Sequence, residues 1–202
     1  MAKASATSKK SSSKNAKPKI TAANPATRAR VADGVLYSKL EEFFATSLKE
    51  LYWSEQNLIN VLGSMADAAT TDELRDSFYT HMDQTRTHVA RLEEVFDMMG
   101  IHRQAQHCVG LQGLFDEGWK VIDGTETGSA QRDVALIIAA QKVEHYEMAC
   151  YGSMVTLART MGRTDVAELL IETLTEEKET DAMLTEIAEG KINYEAAKEM
   201  VL

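Results

Sequence analysis

Residues 141–151, QKVEHYEMACY, put Glu144 and Glu147 three positions apart inside a long run with helical periodicity. Side chains three apart on a helix share a face. That face also carries Leu136, Ala140, Val143, Tyr151 and Met154, so it looks inward. A carboxylate buried without a partner costs several kcal/mol. These two acids therefore need protons, a basic partner or a metal ion.

Three further apolar stripes are interrupted in the same way. Phe44, Leu48, Leu51, Leu58, Leu62 and Met65 recur with a three-four rhythm, and Glu55 stands where Leu is expected. A second stripe, Leu74, Phe78, His81, Thr85, His88, Leu92, Val95 and Met99, has two histidines and a threonine in its middle. A third, Val166, Leu170, Leu174, Ile187 and Ala188, is broken by Glu177 and Asp181. Glu55 and Glu147 are 92 positions apart, and Gln84–Glu177 and His88–Asp181 are each 93 apart, so a helix pair recurs. Polar groups at matching depths on four core stripes must meet one another.

Hard cations take carboxylate oxygens, and imidazole serves the transition metals of the first row. In bundles that hold two irons or manganeses, two helices each give one Glu and the other two each give Glu-x-x-His. Here Glu55 and Glu147 read as the single glutamates, with Glu144 as an extra or alternative ligand. Gln84 with His88, and Glu177 with Asp181, read as the paired donors, with His81 and Asp83 as additional candidates. Both pairs are spaced four apart rather than three, Gln84 is neutral and Asp181 replaces a histidine. The expected cofactor is iron or manganese in a two-metal centre, with zinc as the other option. His145 points away from the face of Glu147 and reads as a surface residue. His102, His107 and Cys108 lack a second Cys/His pair at zinc-site spacing and read as structure.

The stripes define the elements. Ser38 with Glu41, and Thr70 with Glu73, have the spacing of capping boxes, and Gly100 and Gly162 stand where helices close. Helices are expected from the box at Ser38 through the stripe that reaches Met65, from the box at Thr70 to Met99, from near Ser129 to Met161, and from Thr164 through Ala188. A link of about thirty residues lies between the second and third, and Val109, Leu111, Leu114, Trp119 and Val121 predict a short helix within it. Short links make neighbours antiparallel, and one long link fits the crossover of a ferritin-like bundle. The fold class is all-α: a four-helix bundle over residues 34–190, then a short helix or frayed end over 191–202.

Residues 1–33 differ in kind. The first thirty contain eight Lys and Arg, no Asp or Glu, and both prolines of the chain. Their composition predicts a disordered basic tail able to touch nucleic-acid phosphates non-specifically. Removing those eight from the 22 basic residues leaves 14 against 31 acidic ones, a balance of −17 for the body. Two cysteines suit reduced thiols in the cytoplasm. No apolar run approaches the about 18 residues a membrane span needs.

The segments LYWSEQNL around Glu55, HCVGLQGL in the long link, AAQKVEHYEMACYGSMVTLA and LLIETLTEEKETD around Glu177 closely resemble the YciE/YciF family of bacterial ferritin-like stress proteins. The resemblance runs from about Ser38 to Ala188 and omits the tail. It implies a ferritin-like bundle that forms homodimers and carries a rubrerythrin-like metal site. The expectation is a metal-binding stress-response protein acting on peroxide or oxygen. Its rival is a non-enzymatic bundle with a vestigial site, tethered to DNA or a partner by the Lys-rich tail.

Overall fold

The computed structural model describes residues 38–200. The expected basic tail and its nucleic-acid contact lie outside the described residues. Within them six α-helices follow in order: α1 Lys39–Ala68, α2 Asp72–Met99, α3 Val109–Gly124, α4 Ala130–Thr160, α5 Thr164–Ile187 and the one-turn α6 Asn193–Ala196. A π-helical turn, Ala188–Ile192, joins α5 to α6. Among the described residues there is no strand. The architecture is the all-α ferritin-like bundle, with α1, α2, α4 and α5 as its long members and α3 riding on the crossover.

Long helices form because each stripe has one apolar face to bury. α1 packs along α2, α4 along α5, and the two hairpins close on each other chiefly through α2–α5 and α1–α4. One apolar cluster gathers Leu58–Ala66 of α1, Leu74 and Phe78 of α2, Leu136–Val143 of α4, and Leu184 and Ile187 of α5. Another gathers Phe44–Tyr52, Leu92–Met99, Tyr151–Ala158 and Val166–Leu170 from the same four helices. The order in which each helix visits the two clusters sets its direction. α1 and α5 run one way, α2 and α4 the other. Since α2 and α4 are parallel, the chain must return along the whole bundle between them, which is why the crossover is long. On the way α3 covers the first cluster with Leu111 and Phe115.

Helix ends are closed by local and by distant groups. Ser38 caps α1 by accepting from the amide of Glu41 at 3.1 Å, as its spacing predicts. Gly100 (φ 64°) and Gly162 (φ 75°) take the left-handed conformation that only glycine adopts without strain. The box expected at Thr70 does not form. α2 begins at Asp72, and Thr71 at its cap makes no side-chain capping bond. Instead the buried carboxylate of Asp133, from α4, accepts from the amides of Thr70 at 2.7 Å and Thr71 at 2.9 Å. The C-terminal stretch does the same for α4, where Glu199 accepts from the amides of Ala130 and Gln131 at 2.7 and 2.9 Å.

Asp133→Ala leaves two amides without their acceptor. At about 1–3 kcal/mol per orphaned donor, stability falls by roughly 2–6 kcal/mol, toward the lower end because both amides are only partly buried. The midpoint of urea unfolding reads this directly, and an unchanged midpoint would mean that water replaces the carboxylate.

Candidate metal centre

Between the two apolar clusters lies a layer of polar side chains. Glu55 of α1, His81, Thr85 and His88 of α2, Glu144 and Glu147 of α4, and Glu177 and Thr180 of α5 are all buried. They occupy this level because each sits in the middle of an otherwise apolar stripe, and the four stripes face a common axis.

Two groups of donors form within the layer. Nδ1 of His88 lies 3.0 Å from Oε1 of Glu177 and 3.5 Å from Oε2 of Glu55. Nε2 of His81 lies 3.2 Å from Oε1 of Glu144 and 3.8 Å from Oε2 of Glu177. Within each of the triads Glu55–His88–Glu177 and His81–Glu144–Glu177, the donor atoms lie within 4.8 Å of one another. Glu177 belongs to both, one oxygen to each, so it has the position of a bridge. The two rings are 6.2 Å apart between centroids.

The donors approach without hydrogen-bond alignment. His81 Nε2, His88 Nδ1, Glu55 Oε2, Glu144 Oε2 and both oxygens of Glu147 and of Glu177 are buried with no hydrogen-bond partner. Orphaned buried polar atoms are rare because each costs a desolvation penalty. A metal ion would answer them. Donors about 2.1 Å from an ion lie roughly 3.0 Å apart at octahedral and 3.4 Å at tetrahedral corners, the range of the shorter pairs here. Four carboxylates carry a charge of −4, which two divalent cations match. The mixed oxygen and imidazole set suits iron, manganese or zinc. These residues fit a two-metal centre.

The outward nitrogens of both rings are held. Nε2 of His88 is 2.8 Å from Oε2 of Glu176, a carboxylate also gripped by Arg91 at 2.5 and 2.8 Å. That acceptor assigns the ring proton to Nε2 and leaves the Nδ1 lone pair for an ion. Nδ1 of His81 faces Thr180 Oγ1 at 3.3 Å and Gln84 Oε1 at 3.4 Å, which leaves Nε2 inward. Loss of such an outer partner commonly weakens metal affinity about 10–100-fold. Glu176→Gln should therefore weaken manganese binding about tenfold or more by titration calorimetry. Wild-type affinity in this variant would mean that Arg91 and Glu176 serve only the surface.

In the metal-free centre, burial is the largest influence on His81 and opposes its charge. Glu144 and Glu177 outweigh it and lift the ring to about 9. At His88 burial is again opposed, by Glu55 and Glu177, and the ring rises to about 11. Burial pushes Glu177 up to about 7 against the pull of His88. Burial likewise raises Glu147 well above the carboxylate range, and the fields of Glu55, Glu177 and Glu144 add to it. Without a cation the cluster stays tolerable by holding protons.

Several expected donors are elsewhere. Gln84 is half-buried and turns its amide to the far side of His81, so it orients a ring rather than lining the layer. Asp83 is exposed and pairs with Arg86. Asp181 lies at the edge, 3.2 Å from the exposed ring of His145 and 3.3 Å from Gln141. One turn of the helix explains the misplacement, because positions three and four apart both point to the same side. The inward partners are three apart: Thr85 with His88 and Glu177 with Thr180, as in Glu-x-x-His. In those terms the repeat is a constant 92, relating Glu55 to Glu147, Thr85 to Glu177 and His88 to Thr180. Threonine thus replaces one motif carboxylate and one motif histidine. His81, a turn earlier on α2, and Glu144, a turn earlier on α4, restore an imidazole and a carboxylate. Glu176 escaped sequence reasoning because its half-exposed position breaks no stripe. Tyr151 was visible only as an inward residue, with nothing to mark its hydroxyl.

Residues 39–197 match the family described as a domain of unknown function, DUF892. The chain belongs to the DUF892 family. Over 158 residues it is 39% identical to protein YciF of Escherichia coli strain K12, covering 78% of this chain and 95% of that protein. The crystal structure of the E. coli stress protein YciF is similar, with a TM-score of 0.74 and 38% identity over 78% of this chain and 99% of that one. YcfI from Rhodopseudomonas palustris is similar at a TM-score of 0.70 and 28% identity, covering 74% and 98%. A protein from Xanthomonas campestris, at 18% identity and a TM-score of 0.61, shares the fold. Among the described residues of this DUF892 chain, no helix is long and apolar enough to cross a membrane.

Proposed function

We propose that the chain is a metal-binding stress-response protein, holding two divalent ions of the iron or manganese kind and acting on peroxide or dioxygen. One observation carries this reading: eight buried donor atoms without hydrogen-bond partners face one another in a layer that splits the apolar core. The likeness to the stress protein YciF supports the setting.

Each residue has a definite task. Glu177 would hold both ions, one oxygen to each; Glu55 with His88 would complete one half, and Glu144 with His81 the other. Glu147, with two orphaned oxygens in the same layer, would supply the remaining negative charge. The apolar clusters above and below exclude water, and Glu176 and Gln84 hold the rings in the tautomer that ligates. When bound, a redox-active pair of ions supplies the electrons that reduce a small oxidant.

Threonine at both motif positions favours a second reading, in which the layer is a proton-sharing relic. The two part on metal analysis. After reconstitution with Fe(II) or Mn(II) and desalting at neutral pH, about two ions per chain are expected. Absence of stoichiometric metal removes the first reading and leaves the second.

A further inference from the structure

Tyr151 stands at the layer in a role that ion binding does not require. It is fully buried on α4, one turn beyond Glu147. Its hydroxyl donates to Oε1 of Glu55 at 2.5 Å, and Oε2 of the same carboxylate faces His88. A single carboxylate therefore separates the phenol from the metal-binding donors. Packing alone would be met by phenylalanine, as at Phe44, Phe78 and Phe96 elsewhere in this core. A buried hydroxyl must be matched by an acceptor, and here that acceptor is one of the ligating side chains. The other side chains of the layer are carboxylates, imidazoles and threonine hydroxyls, all far harder to oxidise by one electron than a phenol.

We propose that Tyr151 is a one-electron donor to the loaded centre, with Glu55 as the acceptor of its proton. This rests on the metal-binding reading above. In the step the phenolic O–H bond breaks, its proton crosses to Oε1 of Glu55, its electron passes to the centre, and a neutral tyrosyl radical remains. Hydrogen peroxide is the oxidant. Breaking its O–O bond to two waters takes two electrons and two protons. One electron comes from Tyr151 and one from a ferrous ion, which becomes ferric. The phenolic proton stays on Glu55, and solvent supplies both protons of the two waters. The phenol belongs to the apolar cluster with Tyr52, Leu51 and Met154, which keeps solvent from quenching the radical.

The test uses the full chain loaded anaerobically with Fe(II), its iron content measured, then mixed with hydrogen peroxide, freeze-quenched and examined by electron paramagnetic resonance. A tyrosyl signal that narrows on ring deuteration of tyrosine is expected. It should vanish in Tyr151→Phe at equal iron content. Since that variant can fail to fold, a second chain with Tyr37, Tyr52, Tyr79, Tyr146 and Tyr194 changed to Phe must keep the signal. Iron-loaded wild type without a tyrosyl signal overturns the proposal, as does an undiminished signal in Tyr151→Phe or its loss in the second chain. Wild type that takes up no iron overturns the metal-binding reading first and this one with it.

Discussion

If the chain holds two ions as proposed, Glu177→Gln is expected to lose metal at both halves of the centre and at the same time to make the metal-free protein more heat-stable. The first effect follows from position. One carboxylate oxygen lies beside His88 and the other near His81, so no other side chain is shared by the two triads. Removing it should weaken manganese binding at least about 100-fold, beyond the usual loss on removing an outer partner. Glu144→Gln, by contrast, should spare the half built on Glu55 and His88. The second effect follows from charge. Above about pH 7 Glu177 carries its charge in a dry layer beside three other carboxylates, and the neutral amide removes that cost. Neither ring is stranded, because His81 keeps Glu144 at 3.2 Å and His88 keeps Glu55 at 3.5 Å. Equilibrium dialysis and calorimetry of the metal-free variant measure the two. Undiminished uptake contradicts the bridging role, and a lower melting temperature contradicts the cost of the buried charge.

Metal should stabilise the fold more as pH rises, because the metal-free fold weakens over the same range. The relevant groups all bind protons more tightly when folded. Glu177 moves from 4.5 to about 7 and Glu147 shifts in the same direction. His81 moves from 6.5 to about 9 and His88 from 6.5 to about 11. A raised folded value contributes stability that is complete below the unfolded value and disappears as pH climbs through the folded one. The window therefore opens near pH 4.5 with the glutamates and continues past pH 9 with the histidines. The carboxylates held low by arginine, such as Asp165 and Glu176, change stability only below it. An ion binds the deprotonated donors and displaces these protons. At a free concentration about 100 times its dissociation constant it adds about 2.7 kcal/mol, or roughly 5–10 °C for a chain of this size. Thermal scans at about pH 5.5 and 8.5, with and without Mn(II), should show the metal-free transition falling and the metal-induced shift growing. A metal-free transition that is flat or rising between those values would contradict the protonated cluster.

The bundle was legible because its stripes are long and regular, and because a Glu in place of Leu, as at Glu55, is conspicuous. Glu147, Glu177, His81 and His88 were readable on the same ground. Spacing alone assigns Asp181 and Gln84 to the centre because an offset of four satisfies a helical face as well as an offset of three. Thr85 and Thr180 conceal the three-residue spacing of the inward partners, since a hydroxyl passes unnoticed on a mixed stripe. The capping of α2 by Asp133 could not be read from sequence, for its acceptor lies 63 and 62 positions away from the amides it serves. The spacing at Thr70 matched a local signature that tertiary contact displaced.

The division of the interior has a consequence for how the chain tolerates change. Leu62 and Phe96 lie in different apolar blocks, with the ionisable storey between them. Substitutions confined to opposite blocks act in separate apolar clusters, so their energetic effects should largely sum. Epistasis in this molecule would then concentrate at the middle storey, where a few side chains answer to four helices at once.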